Sequence, residues 1–155
     1  MLLTIVGPRR DWASAVAAVL VLAAGLVFQT TDFRFLGVEN PYSQALVAQG
    51  VLYCSGQVPL DPETGELIEG GLAEQARRCL QNLAAVCQAA GARLEDAARM
   101  TIYLTEMEDF PTVNEVYAEF FSEPFPVRST VGVAALPKGA LVEIDATVPL
   151  TGGRA

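Results

Sequence analysis

Eight residues between Leu72 and Ala90 constrain this chain most. Leu72, Ala76, Cys79, Leu80, Leu83, Val86, Cys87 and Ala90 recur at intervals of three and four. That spacing gathers them into one stripe of a helix that needs an apolar surface to lie on, and Gly91 is placed to end it. Glu74 and Arg78 fall on its wet face at the favourable spacing for an ion pair. The surface it needs is written in period two. In 98–105, Met100, Ile102 and Leu104 alternate with Thr101, Tyr103 and Thr105, as one buried and one open face of a strand do.

Other segments read the same way. Residues 45–49 and 51–57 are apolar and joined around Gly50 with hairpin-like spacing, and 32–37 is a candidate first strand. Asp61-Pro62-Glu63-Thr64-Gly65-Glu66 is polar turn chemistry. A second helix starts at Asp109, a candidate N-cap, with Pro111 in its first turn and Phe110, Val113, Tyr117 and Phe120/Phe121 on one side. Residues 128–134 and 141–150 finish as strands, separated by Pro137-Lys138-Gly139. The order β-β-β-α-β-α-β-β predicts an α+β fold, one sheet covered on a single face by two helices. Apolar residues on the other face then lack a cover, which predicts an oligomer built sheet to sheet.

The 155 residues, 52% of them apolar, suffice for one core, assigned to 32–150. Residues 1–31 are a different object. Nothing charged occurs from Trp12 to Thr31, residues 12–28 are almost wholly apolar, and Arg9 and Arg10 precede them. A helix of 17 residues reaches roughly 26 Å, marginal for a bilayer. The segment reads as a membrane anchor or signal segment, with a start assigned too far upstream and a packed soluble helix as alternatives. Residues 151–155 read as a flexible tail.

Composition closes several routes to function. Net charge is -8, with no Lys/Arg cluster beyond Arg9-Arg10 and Arg77-Arg78, so no broad basic face exists for nucleic acid. The absence of histidine removes His-based triads and most zinc sites. Cys54, Cys79 and Cys87 lack C-x-x-C spacing and read as buried reduced thiols, which favours a reducing compartment. No carboxylates cluster at metal-ligand spacing, and Glu69-Gly70-Gly71 lacks the spacing and the lysine of a phosphate loop.

The candidates that remain are few. Arg128 opens a β-branched run with no acid between Glu123 and Glu143, so its two-pronged donor lacks a local partner and is free to face a pocket. A solvated strand-end arginine, or one paired with a distant acid, is the alternative. Glu143 and Asp145 alternate with Val142, Ile144 and Ala146. If the apolar set meets the helices, the carboxylates face the oligomer, where one could orient or deprotonate water; a solvated edge strand also explains them. Gly56, in Ser55-Gly56-Gln57, allows close approach by a ligand or marks a bulge. Tyr42 offers a hydroxyl and Asn114 an amide, each with a structural reading beside it. Together these suit a small carboxylate ligand and chemistry that needs only positioned water.

Six blocks then resemble the RidA/YjgF family in order and spacing. They are Pro41-Tyr42-Ser43-Gln44-Ala45, Ser55-Gly56-Gln57-Val58-Pro59, Asp61-Pro62-Glu63-Thr64-Gly65, Val113-Asn114-Glu115-Val116-Tyr117, Pro126-Val127-Arg128-Ser129-Thr130 and 136–144, beginning Leu136-Pro137-Lys138-Gly139. The resemblance covers about residues 38–150. It implies a chorismate-mutase-like α+β sandwich assembled as a homotrimer, with sites in clefts between subunits. It further implies cofactor-free hydrolysis of 2-imino or enamine acids, such as 2-iminopropanoate and 2-iminobutanoate, to 2-keto acids and ammonia. A non-enzymatic trimeric ligand-binding or chaperone-like member is the alternative. By position, Arg128 matches the arginine that grips the substrate carboxylate and Glu143 the acid that positions water. Tyr42, Ser55, Gly56, Asn114 and Thr130 match residues around the pocket. Thr130 stands where many members carry cysteine, and Asn40 where glycine commonly precedes the Pro-Tyr pair. No metal and no nucleic acid are expected. The cytoplasm is the expected compartment, with membrane anchoring through 12–28 as the alternative.

Overall fold

The computed structural model describes residues 42–150, where the two periodicities resolve into two helices and one five-stranded sheet. Helix α1 spans Leu72–Ala89 and α2 spans Phe110–Phe120. The strands are β1 Ala45–Ala48, β2 Val51–Gln57, β3 Arg99–Leu104, β4 Val127–Gly132 and β5 Val142–Pro149. The candidate strand at 32–37, the apolar segment 1–31 and the tail 151–155 lie outside the described residues.

Sheet order is β1-β2-β5-β3-β4. Pairs β1/β2, β2/β5 and β5/β3 are antiparallel, and β3/β4 is parallel. A parallel neighbour needs a long crossover, and α2 supplies it between β3 and β4. The β1–β2 hairpin turns on two residues, Gln49 (φ 51°) and Gly50 (φ 75°). Positive φ at both matches the turn to the twist of the flanking strands. Between β2 and β5, Cys54 faces Ala146 and Gln57 faces Ile144, so β2 carries one extra residue in a bulge at Ser55-Gly56.

The stripe of α1 is buried as its spacing predicts, and Gly91 leaves the helix at φ +73°. Met100, Ile102, Leu104, Val142, Ile144, Ala146 and Val148 meet it from the sheet, completing one core. The three cysteines lie within that core as free thiols. Arg77 of α1 donates two bonds (2.8 and 2.7 Å) to Glu119 of α2. Both groups are exposed, so solvent screens the pair and it contributes little to stability.

Two local expectations are corrected. Glu74 does not pair with Arg78: its carboxylate accepts the Gly71 N–H (3.0 Å) at the helix start. Asp109 occupies the N-cap position without a side-chain cap, because the turn Met107–Asp109 already brings the chain in with helical geometry (φ -79°, ψ -4°). The open face is apolar only at its flanks, where Leu46 and Tyr53 stand on one side and Val127 and Val131 on the other, all well exposed. Its centre is polar: Thr101, Tyr103, Glu143, Asp145 and Thr147.

Candidate active site

Arg128 lies on the helix side of the sheet. Its register partner on β3 is Met100, a core residue, so the side chain enters the layer between β4 and α2. There α2 presents Phe110, Asn114 and Tyr117, spaced four and three residues apart and therefore on one face. Arg128 Nη2 donates to Asn114 Oδ1 (2.8 Å). The guanidinium carbon sits 5.2 Å from the Phe110 ring centroid and 4.9 Å from that of Tyr117. Two aromatic faces and one amide hold the planar cation, each aromatic contact contributing roughly 0.5–2 kcal/mol. Among the described residues no carboxylate forms an ion pair with Arg128. The fork therefore keeps donors for an incoming carboxylate.

Glu143 lies on the other face, opposite Tyr103 on β3. The bulge brings Gly56 directly beneath it. A Cβ built on Gly56 would run into Glu143 Oε1, so any other residue there would push this carboxylate out of its place. Burial, then the negative charge of Asp145, push the Glu143 proton affinity above the ordinary glutamate value of 4.5. Asp145 accepts a bond from the Tyr103 hydroxyl (3.2 Å). Tyr103 is itself raised, first by burial and then by the Asp145 charge.

Within one protomer the predicted residues form two groups rather than one. Arg128, Asn114 and Thr130 belong to the helix face, and Glu143 and Gly56 to the open face. Strand β3 stands between β4 and β5, two strand spacings or about 10 Å apart, with the sheet itself dividing the side chains. Ser55 adjoins Gly56, but its hydroxyl donates to the Ser43 carbonyl (2.6 Å), tying down the chain beside Tyr42. Tyr42 is exposed. Thr130 is half-buried, yet its Oγ1 is shut off from solvent and has no hydrogen-bond partner. What Thr130 offers a ligand is therefore its carbon surface, not its hydroxyl.

Two of the three thiols, Cys54 and Cys79, are poorly suited to act as nucleophiles. A hydrogen bond to Cys87, then burial, raise Cys54 far above the usual range, and burial does the same to Cys79. Among the described residues no group of three or more His, Cys, Asp or Glu could hold a metal ion, and no helix is long and apolar enough to cross a membrane.

Sequence reasoning missed three members of the site. Phe110 and Tyr117 read as core residues of α2, and Tyr103 as one position in an alternating strand. The 110/114/117 spacing carries the signal for the first two, but only once α2 is known to cross over β4.

The description of the endoribonuclease L-PSP family matches residues 34–149. A RutC family protein of Sinorhizobium fredii is 48% identical over 115 residues, spanning 74% of this chain and 91% of that one. A human protein named 2-iminobutanoate/2-iminopropanoate deaminase is 42% identical over 118 residues, spanning 74% of this chain and 86% of that one. Among solved structures, Escherichia coli TdcF with bound serine superposes with a TM-score of 0.68 at 40% identity, covering 73% of this chain and 91% of that chain. The chain belongs to the endoribonuclease L-PSP family, the RidA/YjgF family that its six sequence blocks resemble.

Proposed function

We propose that this protein hydrolyses reactive 2-imino and enamine acids to 2-keto acids and ammonia, without a cofactor, in sites shared between subunits of a homotrimer. The observation that carries the reading is Arg128, a half-buried guanidinium stacked on two rings, anchored by Asn114 and lacking a carboxylate partner among the described residues. Relatives named for this activity, and a solved relative with serine bound, support a small amino-acid-like substrate. The opposite faces occupied by Arg128 and Glu143 support the shared site. A neighbour's open face, laid against the β4 edge, would bring a second copy's Glu143 toward this Arg128.

In this reading the substrate carboxylate binds the Arg128 fork. Water held by Glu143 attacks the imine carbon and transfers a proton to the Glu143 carboxylate. A C–O bond forms as the C=N π bond gives way, leaving a carbinolamine. Glu143 returns the proton to nitrogen and then carries the carbinolamine hydroxyl proton to the same nitrogen, so the C–N bond breaks, NH3 leaves and the C=O of the keto acid forms. Positioning and electrostatics supply most of the acceleration. The work belongs in the cytoplasm, where such imines escape from pyridoxal-phosphate enzymes.

The test generates 2-iminopropanoate from alanine with an amino-acid oxidase and traps it with semicarbazide. The full-length protein should lower the trapped imine and Arg128→Ala should not. A folded trimer that leaves the signal unchanged with this and bulkier imino acids would favour a ligand-binding protein instead.

A further inference from the structure

Asp145 takes no part in the steps above, yet it stands two residues from Glu143 on the same face of β5, about 7 Å along the strand. It is also the residue that the Tyr103 hydroxyl holds. We propose that Asp145 is a positioning residue for Glu143: held by the Tyr103 hydroxyl two residues along the same face of β5, it sets the surroundings in which Glu143 takes up and returns a proton. The proposal rests on Glu143 being the acid that handles water.

The surroundings leave Asp145 as the nearest charge. On the open face, β2 contributes Tyr53, Ser55 and Gly56, and β3 contributes Arg99, Thr101 and Tyr103. Arg99 pairs with Thr147, a further two residues beyond Asp145. Strand β4 adds Val127, Ser129 and Val131, none of them titratable. Beneath the sheet, the α1 thiol of Cys79 is buried and donates to the Val142 carbonyl (3.6 Å). Gly56 adds the geometric constraint, because the carboxylate seated over it is enclosed from the β2 side. Burial comes first and Asp145 second among the influences on Glu143. Removing Asp145 should therefore lower the Glu143 proton affinity part of the way, not restore the ordinary value.

The experiment follows the 13C signal of the Glu143 side-chain carboxyl in the full-length protein, assigned by its loss in Glu143→Gln. Asp145→Asn should lower the titration midpoint by about half a pH unit or more, and Asp145→Glu should keep it high. The acid limb of kcat/KM for imine hydrolysis should move with the midpoint. An Asp145→Asn midpoint equal to that of the unaltered protein, beside normal turnover, overturns the proposal and leaves the deaminase reading intact. A shifted midpoint in a protein that turns over no imine overturns that reading and the positioning role of Asp145 with it.

Discussion

Arg128 shows how one residue is specified by neighbours distant in sequence. Its charge cannot be left to a point cation, because the stack between Phe110 and Tyr117 and the bond to Asn114 use the plane and the fork. Arg128→Lys should reduce kcat/KM about 100-fold or more, mostly through KM, as read in the semicarbazide assay. Gly56→Ala is a harsher change than its size suggests. The added methyl meets Glu143 Oε1, so activity should fall at least about 100-fold while far-UV circular dichroism remains that of a folded protein. Glu143 also links the site to stability. An acid with a raised folded-state pKa holds its proton where the unfolded chain has released it. Its contribution therefore weakens as pH rises from about 4.5 through the folded value. Glu143→Gln should abolish turnover and, in urea titrations at pH 7, unfold at a higher midpoint than the unaltered protein. Arg128 was legible because no acid lies near it in sequence, and Glu143 because alternation sets it with Asp145 on the face opposite Val142, Ile144 and Ala146. Tyr103 was not, since its bond to Asp145 runs diagonally between β3 and β5 and depends on the register of those two strands.

At the scale of elements, local pattern and local structure agree closely. The α1 stripe, the alternation of β3 and β5, and the hairpin at Gly50 all lie where periodicity put them, within one or two residues. Sheet order was not legible. Strand β5 enters between β2 and β3, a choice made by packing rather than by any local propensity. The role of α2 was hidden for the same reason: one set of aromatic spacings serves a core or an arginine clamp, and only the crossover decides. The hairpin offers a test at this scale. Gln49 is a non-glycine residue at φ 51° in a two-residue turn, a place that asparagine fills with less strain. Gln49→Asn should raise Tm by a few degrees, roughly the effect of 0.5–1 kcal/mol in a domain this size. An unchanged or lower Tm would show that the turn contributes little to folding.

At the scale of the whole molecule, the proposed assembly would let the open face join what the sheet separates. Apolar flanks at Leu46 and Tyr53, and at Val127 and Val131, border a polar centre holding Glu143, an arrangement suited to a contact that seals around working carboxylates rather than one that simply hides a greasy surface. Alternation foresaw both apolar residues and the two carboxylates on this face, but not that the carboxylates sit at its centre, because it cannot say which strand lies in the middle. The account's central claim is that each site takes Arg128 from one copy and Glu143 from another. The direct measurement is complementation: Arg128→Ala and Glu143→Gln chains co-expressed in equal amounts, purified as one trimer and assayed for removal of semicarbazide-trapped imine. Each variant alone should be inactive. Mixed trimers should recover about a third of the unaltered activity, because in a ring holding both chains one site in three receives both intact residues from neighbouring copies. Mixed trimers as inactive as their parents would contradict the shared site.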